Sequence, residues 1–240
     1  MTTQGQLTEI VDNQGFYAFV PFPDTHLLER RKITQVEVRV DDGRTISNDQ
    51  RRKIFALIRD ITDYISAPGE TKRKKAEKET LQELQLLFLI DYADTEAVRY
   101  QLTQHYCKLV DIELFSLSSV DMTTARDFID WLVELCVIHG IPCIDTLLNR
   151  CEDIGRYLYA CVANRRCAIC GKRADIHEYD RVGSGRNRRT ISHLGQRVQP
   201  LCREHHCEVD SIGQQTFDRK YHLETIRLDE NLCKILKWRV

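Results

Sequence analysis

The 240-residue chain has no hydrophobic run that could cross a bilayer. Apolar runs such as Leu86–Ile90 are far short of the roughly 18 residues a membrane helix needs. The N-terminus, MTTQGQLTEI, lacks the charged-then-apolar pattern of a secretion signal. Internal repeats and low-complexity tracts are also missing, and the net charge is only −1. These absences argue against a membrane, secreted or fibrous protein and lead us to expect a soluble cytoplasmic one. Hydrophobic residues make up 42% and charged residues 30%, a balance that can bury a sizeable core and does not read as disorder. At about 150 residues per domain, the length fits one large or two small domains.

The small net charge hides an asymmetry. Residues 1–164 carry nineteen Lys/Arg against twenty-six Asp/Glu, whereas residues 165–240 carry sixteen against ten. A basic C-terminal third suits contact with a polyanion, although an ordinary solvated surface has the same composition. The ten cysteines, in a chain without a secretion signal, read as reduced thiols. Cys107, Cys136, Cys143, Cys151 and Cys161 lie in helix-like sequence and read as small buried apolar residues.

Phe16–Phe22 and Thr34–Val40 read as strands, the second with Val36, Val38 and Val40 on one face. Ser47-Asn48-Asp49-Gln50 opens a helix as a capping box. Ile54, Leu57, Ile58, Ile61 and Ile65 then form its apolar stripe, and Ala67-Pro68-Gly69 stops it. A Lys/Glu-dense segment from Thr71 runs into Leu81–Ile90 as one further helix. Phe115–Ser119 reads as a short extended piece. Helices are expected over about Thr123–His139, ended by Gly140-Ile141-Pro142, and over about Ile144–Asn164. A domain boundary is expected near Asn164, giving domains 1–164 and 165–240.

The C-terminal segment carries a metal-binding pattern. Cys167-Ala168-Ile169-Cys170-Gly171 is a knuckle: two thiolates two residues apart, followed by glycine for a tight turn. Cys202-Arg203-Glu204-His205 supplies a CxxH. Together they offer zinc the four ligands of a tetrahedron, Cys167, Cys170, Cys202 and His205, with Cys207 a rival for the fourth place. Four protein ligands leave no open position, so this ion would be structural. Between the two halves a strand bearing His177 enters a glycine- and arginine-rich loop. On the helix that follows, His206 and Asp210 are four residues apart and share a face. That face, with His177, can hold a divalent metal. Arg186, Arg188 and Arg189 have the guanidinium chemistry that pairs bidentately with phosphate.

Residues 165–224, through IHEYDRVGSGRNR, ISHLG, LCREHH and FDRKYHLE, resemble an HNH endonuclease of the ββα-metal class found among phage recombination genes. The resemblance implies metal-dependent hydrolysis of DNA phosphodiester bonds. A strand histidine would act as general base, helix residues would grip one ion, and arginines would hold the backbone. His193 matches the middle position of the family, with Asn187 a second candidate. Two positions depart from the pattern. The strand pair is His177-Glu178 where the family has two histidines, and Asp210 stands where it has a histidine. Asp210 remains a plausible oxygen ligand for Mg²⁺ or Mn²⁺. Glu178 falls on the base position, where a carboxylate near pKa ~4.3 abstracts protons less well than an imidazole near ~6.5. His177 and Glu178 could instead exchange roles. The catalytic candidates are therefore His177, Glu178 and His193. A non-enzymatic DNA-binding mediator with a vestigial HNH unit is the alternative.

Gly43–Phe55, GRTISNDQRRKIF, and the Phe115–Ile141 segment resemble the phage NinB/Orf recombination-mediator family. This implies an α+β domain that forms a homodimer and binds single-stranded DNA without sequence preference. It would help load a recombinase past single-strand-binding protein. Arg51, Arg52 and Lys53 would then be phosphate contacts. The expected architecture is α+β: a mixed helix and small-sheet domain followed by a small zinc-stabilised ββα-metal domain. The expected substrate is single-stranded or branched DNA, the expected compartment the bacterial host cytoplasm.

Overall fold

The computed structural model describes residues 43–66, 94–180 and 192–239. Arg44–Val240 forms one compact unit, distinct from Met1–Gly43. The strands expected at Phe16–Phe22 and Thr34–Val40, and the charged helix expected over Thr71–Ile90, lie outside the described residues. Among those described, the fold is α+β, helices with one small antiparallel sheet.

Helix α1 (Asn48–Ser66) starts at the capping box. The Gln50 amide donates to Ser47 Oγ at 3.1 Å, and the Ser47 amide donates to Gln50 Oε1 at 3.1 Å. All five residues of the apolar stripe are buried. They pack against α2 (Thr95–Val110) and α3 (Met122–His139). The Asp121 carboxylate caps α3, accepting from the Thr124 amide at 2.8 Å, and Gly140 ends it at φ +62°. Tyr106, Phe115, Phe128 and Trp131 stack between α2 and α3 with neighbouring centroids 5.1 to 6.3 Å apart.

Two stretches differ from expectation. Phe115–Ser119 is not a strand but coil leading into a turn, because Ser116 O accepts from the Ser119 and Val120 amides at 3.1 and 2.9 Å. The helix expected over Ile144–Asn164 is two, α4 (Leu147–Arg150) and α5 (Ile154–Ala163). Buried Asp130, on α3, draws the chain out of helix by accepting from the Glu152 and Asp153 amides at 2.8 and 3.1 Å. Asp153 then caps α5 through the Arg156 amide at 2.9 Å. A contact between residues twenty-two apart in sequence is not visible to helical periodicity.

Arg150, at the end of α4, reaches Asp60 of α1 at 2.5 Å, with side chains 8% and 3% exposed. Removing one partner strands a buried charge, which is costlier than the pair itself is stabilising. Arg150→Ala is expected to lose about 3–5 kcal/mol, read as a lower urea midpoint.

The sheet has strand order β1 (Asp175–Glu178), β2 (Arg197–Leu201), β3 (Ile226–Arg227). His177 lies directly across from Gln199 in the β1–β2 pair. Pro200 sits beyond the two residues of β2 that β3 covers, where its missing N–H costs no ladder bond. Its carbonyl accepts from the Ala168 amide at 3.0 Å, tying the cysteine knuckle to the sheet. After β2 come α6 (Arg203–Ile212) and α7 (Gln214–Tyr221), and after β3 comes α8 (Glu230–Leu236). The main hydrophobic cluster runs from α1 residues through Cys167 and Ala168 to Val209 and Phe217. Residue 164 therefore marks a change in charge, while the core continues across it. No helix among the described residues is long and apolar enough to cross a membrane.

Candidate functional site

Two side-chain clusters lie on the hairpin and its following helices. The first is Cys167, Cys170, Cys202 and His205, whose ligand atoms all lie within 4.8 Å of one another. The knuckle closes as a tight hairpin: the Cys167 amide donates to Lys172 O at 2.7 Å, and the Gly171 amide donates to Cys167 O at 2.8 Å. Gly171 has φ +68°, the left-handed conformation glycine adopts without steric penalty. Cys202 is the N-cap of α6, so His205 is presented by its first turn. The His205 ring is steadied by the Tyr221 ring, 5.3 Å away and nearly perpendicular.

Four of the six ligand–ligand distances are close to those of a tetrahedron. Ligands at zinc bond lengths would stand about 3.8 Å apart for two sulfurs and about 3.5 Å apart for sulfur and nitrogen. Cys170 and Cys202 sulfurs are 3.6 Å apart, and His205 Nδ1 is 3.1 to 3.7 Å from the three sulfurs. Burial pushes the Cys167 thiol up and Cys170 to about 12, and lowers His205 below its ordinary value. The imidazole is thus kept neutral as a ligand, while the thiols need a cation to shed their protons. Cys207 is outside the cluster and exposed. Two residues beyond His205 on a helix, it is turned about 200° from it.

The second cluster centres on His177 of β1 and His206 of α6. His177 Nδ1 faces His206 Nε2 at 3.0 Å, with the rings nearly perpendicular. Two nitrogens at ~2.1 Å from one ion and about 90° apart would be separated by about 3.0 Å. The pair therefore fits adjacent positions around a divalent metal. Asp210 takes a different place from His177: its Oδ2 lies 3.6 Å from His206 Nδ1, the other ring nitrogen. As placed, it backs His206 rather than facing the same point, the carboxylate–histidine arrangement that orients metal-binding imidazoles. His177 is backed by Gln214, whose Oε1 is 3.0 Å from its Nε2. Glu178 is exposed and makes no hydrogen bond among the described residues. Strand alternation puts it on the face opposite His177.

A family model described as "Putative HNHc nuclease" matches residues 20–87 and 81–239. The chain belongs to this HNH nuclease family. No curated protein and no solved structure gave a significant match. Family membership makes DNA the implied substrate.

The remaining candidates of this HNH protein are placed as follows. His193 packs on Trp238, with centroids 4.8 Å apart, and its amide donates to Arg239 O at 2.9 Å. Among the described residues no contact joins it to His177 or His206, and its buried Nδ1 has no hydrogen-bond partner. Arg186, Arg188, Arg189 and Asn187 lie outside the described residues. On α1, Arg51 Nε donates to Leu117 O at 3.0 Å, and Lys53 pairs with Glu152 at 2.6 Å. Both are thus engaged within the fold. Arg52 is exposed beside Asp49 at 2.7 Å, where such a pair is worth little and leaves the guanidinium accessible. The residues that sequence reasoning missed are Gln199, Gln214, Asp218 and Tyr179. Gln214 and Asp218 carry a signal, two polar side chains four apart on a helix close behind His206. Gln199 carries none without the β1–β2 register.

Proposed function

We propose that this protein is a metal-dependent HNH endonuclease that hydrolyses phosphodiester bonds of single-stranded or branched DNA in phage recombination. The observation that carries this reading is the His177–His206 pair, two imidazole nitrogens 3.0 Å apart on a strand and a helix held by a Cys3His cluster. In this ββα-metal reading, Mg²⁺ or Mn²⁺ at the pair supplies Lewis-acid stabilisation of charge on the scissile phosphate. His177 and His206 hold it, Asp210 and Gln214 orient their rings, and zinc on the four other ligands fixes the scaffold. Arg186, Arg188 and Arg189 are assigned to the DNA backbone, and His193 to support of the phosphate. The segment 1–164 is assigned to single-strand binding as a NinB/Orf-like homodimer in the host cytoplasm, with Arg52 the α1 cation most available to phosphate. A recombinase or single-strand-binding protein would be its protein partner.

One observation favours a second reading, a DNA-binding mediator with a vestigial nuclease unit. Glu178, assigned to the base from its place in the sequence, is exposed and lies on the strand face opposite the His177–His206 pair, and a carboxylate there is poorly matched to neutral pH. Glu178→His tests this. If that position holds the base, the variant is expected to raise plasmid nicking in Mn²⁺ by about 10-fold or more, within the range of general-base effects. An unchanged rate assigns the base elsewhere, and absence of cutting in both proteins supports the mediator.

A further inference from the structure

We infer that Asp218, Gln199 and Gln214 form a relay that locks His177 in one tautomer, with the proton on Nε2 and the Nδ1 lone pair turned to His206. The inference deepens the hydrolytic reading and rests on it for its purpose, though not for its geometry.

The relay begins with an acceptor. An ionised carboxylate can only accept hydrogen bonds. Asp218 Oδ1 lies 2.9 Å from Gln199 Nε2 and 2.9 Å from Gln214 Nε2, so both glutamines must turn their NH₂ groups towards it. The opposite amide orientation would set oxygen against carboxylate. Gln199 spends its second hydrogen on Glu224 O at 3.3 Å, and its Oε1 accepts the second hydrogen of Gln214 at 2.9 Å. Every NH₂ hydrogen of the two side chains is then used. Gln214 has only its carbonyl oxygen left for His177, 3.0 Å from Nε2. That nitrogen must donate, so Nε2 carries the proton and Nδ1 presents a lone pair.

The fold holds the relay rigid. Gln199 is fully buried and lies directly across the sheet from His177. Tyr179, one residue past the end of β1, donates its hydroxyl to Asp218 Oδ2 at 3.2 Å. A polar network of this kind, buried at Gln199 and half-buried at its other members, is most favourable when its donors are matched by acceptors, and the amide hydrogens here are. Gln214 and Asp218 are therefore positioning residues: they act on the metal or the water only through His177.

The test uses the full-length protein, ¹⁵N-labelled, and two-bond ¹H–¹⁵N correlation spectra of its imidazoles at pH 8. In the wild type, His177 Nδ1 is expected to be pyridine-like and Nε2 pyrrole-like. Gln214→Leu is expected to give mixed tautomers and to weaken Mn²⁺ binding, followed by electron paramagnetic resonance of the free ion, about 10–100-fold. Asp218→Asn retains an acceptor oxygen and is expected to keep the tautomer, whereas Asp218→Val loses it. A proton on Nδ1 in the wild type, or a tautomer unmoved by Gln214→Leu, overturns the inference. The two readings part cleanly. A locked tautomer in a protein that cuts nothing removes the hydrolytic reading alone, and mixed wild-type tautomers with intact cutting remove the relay alone.

Discussion

Cys202→Ser is expected to lower the zinc content of the purified protein from one ion per chain to near none and to cost most of its folding stability. Cys202 is buried, makes the 3.1 Å contact with His205, and stands at the N-cap position of α6, next to the turn that presents His205. Without the ion, three thiols and an imidazole would share a partly buried site whose thiols are already pushed towards protonation. Structural zinc contributes on the order of 10 kcal/mol in small metal-folded domains. Whole proteins are stable by only about 5–15 kcal/mol. Because Cys167 and Ala168 belong to the main core, the loss should spread beyond the hairpin rather than fray it locally. Plasma emission spectrometry with a thermal melt measures both. A zinc-free variant that melts with the wild type would show that the cluster does not hold the fold together.

The second large effect is on catalysis. His177→Ala is expected to abolish plasmid nicking, by about 10³-fold or more, because it removes one of the two nitrogens that would hold the ion at the scissile phosphate. DNA retention on a gel should persist, because the cations assigned to the backbone lie elsewhere and phosphate contacts dominate affinity. Retained binding with lost cutting is the pattern of a site residue. Simultaneous loss of both would point to misfolding, which the zinc content would reveal. His206→Ala should behave alike, while Asp210→Ala, acting through His206 Nδ1, should cost less, about 10–100-fold.

The parts of the molecule that were legible in sequence are those fixed by local spacing. The capping box at Ser47–Gln50, the stripe from Ile54 to Ile65 and the CxxC with CxxH each need only a few neighbouring residues, and each is found as expected. Where long-range contacts decide, spacing was blind. Asp130 breaks a helix by capturing amides twenty-two and twenty-three residues away. Lys53, read as a phosphate contact, is taken by Glu152, ninety-nine residues on. The i, i+4 rule correctly set His206 and Asp210 on one face, but it could not say which ring nitrogen the carboxylate meets. The relay behind His177 depends on sheet register, which the loop between β1 and β2 conceals from sequence.

Most direct of all is the conversion of supercoiled plasmid to open circles by the zinc-loaded wild-type protein, with Mg²⁺ and with Mn²⁺, against a metal-free control. Nicking that needs the added ion and disappears in His177→Ala is the expected result. Intact, zinc-loaded protein that binds DNA yet cuts it in neither metal would contradict the hydrolytic role of the His177–His206 pair.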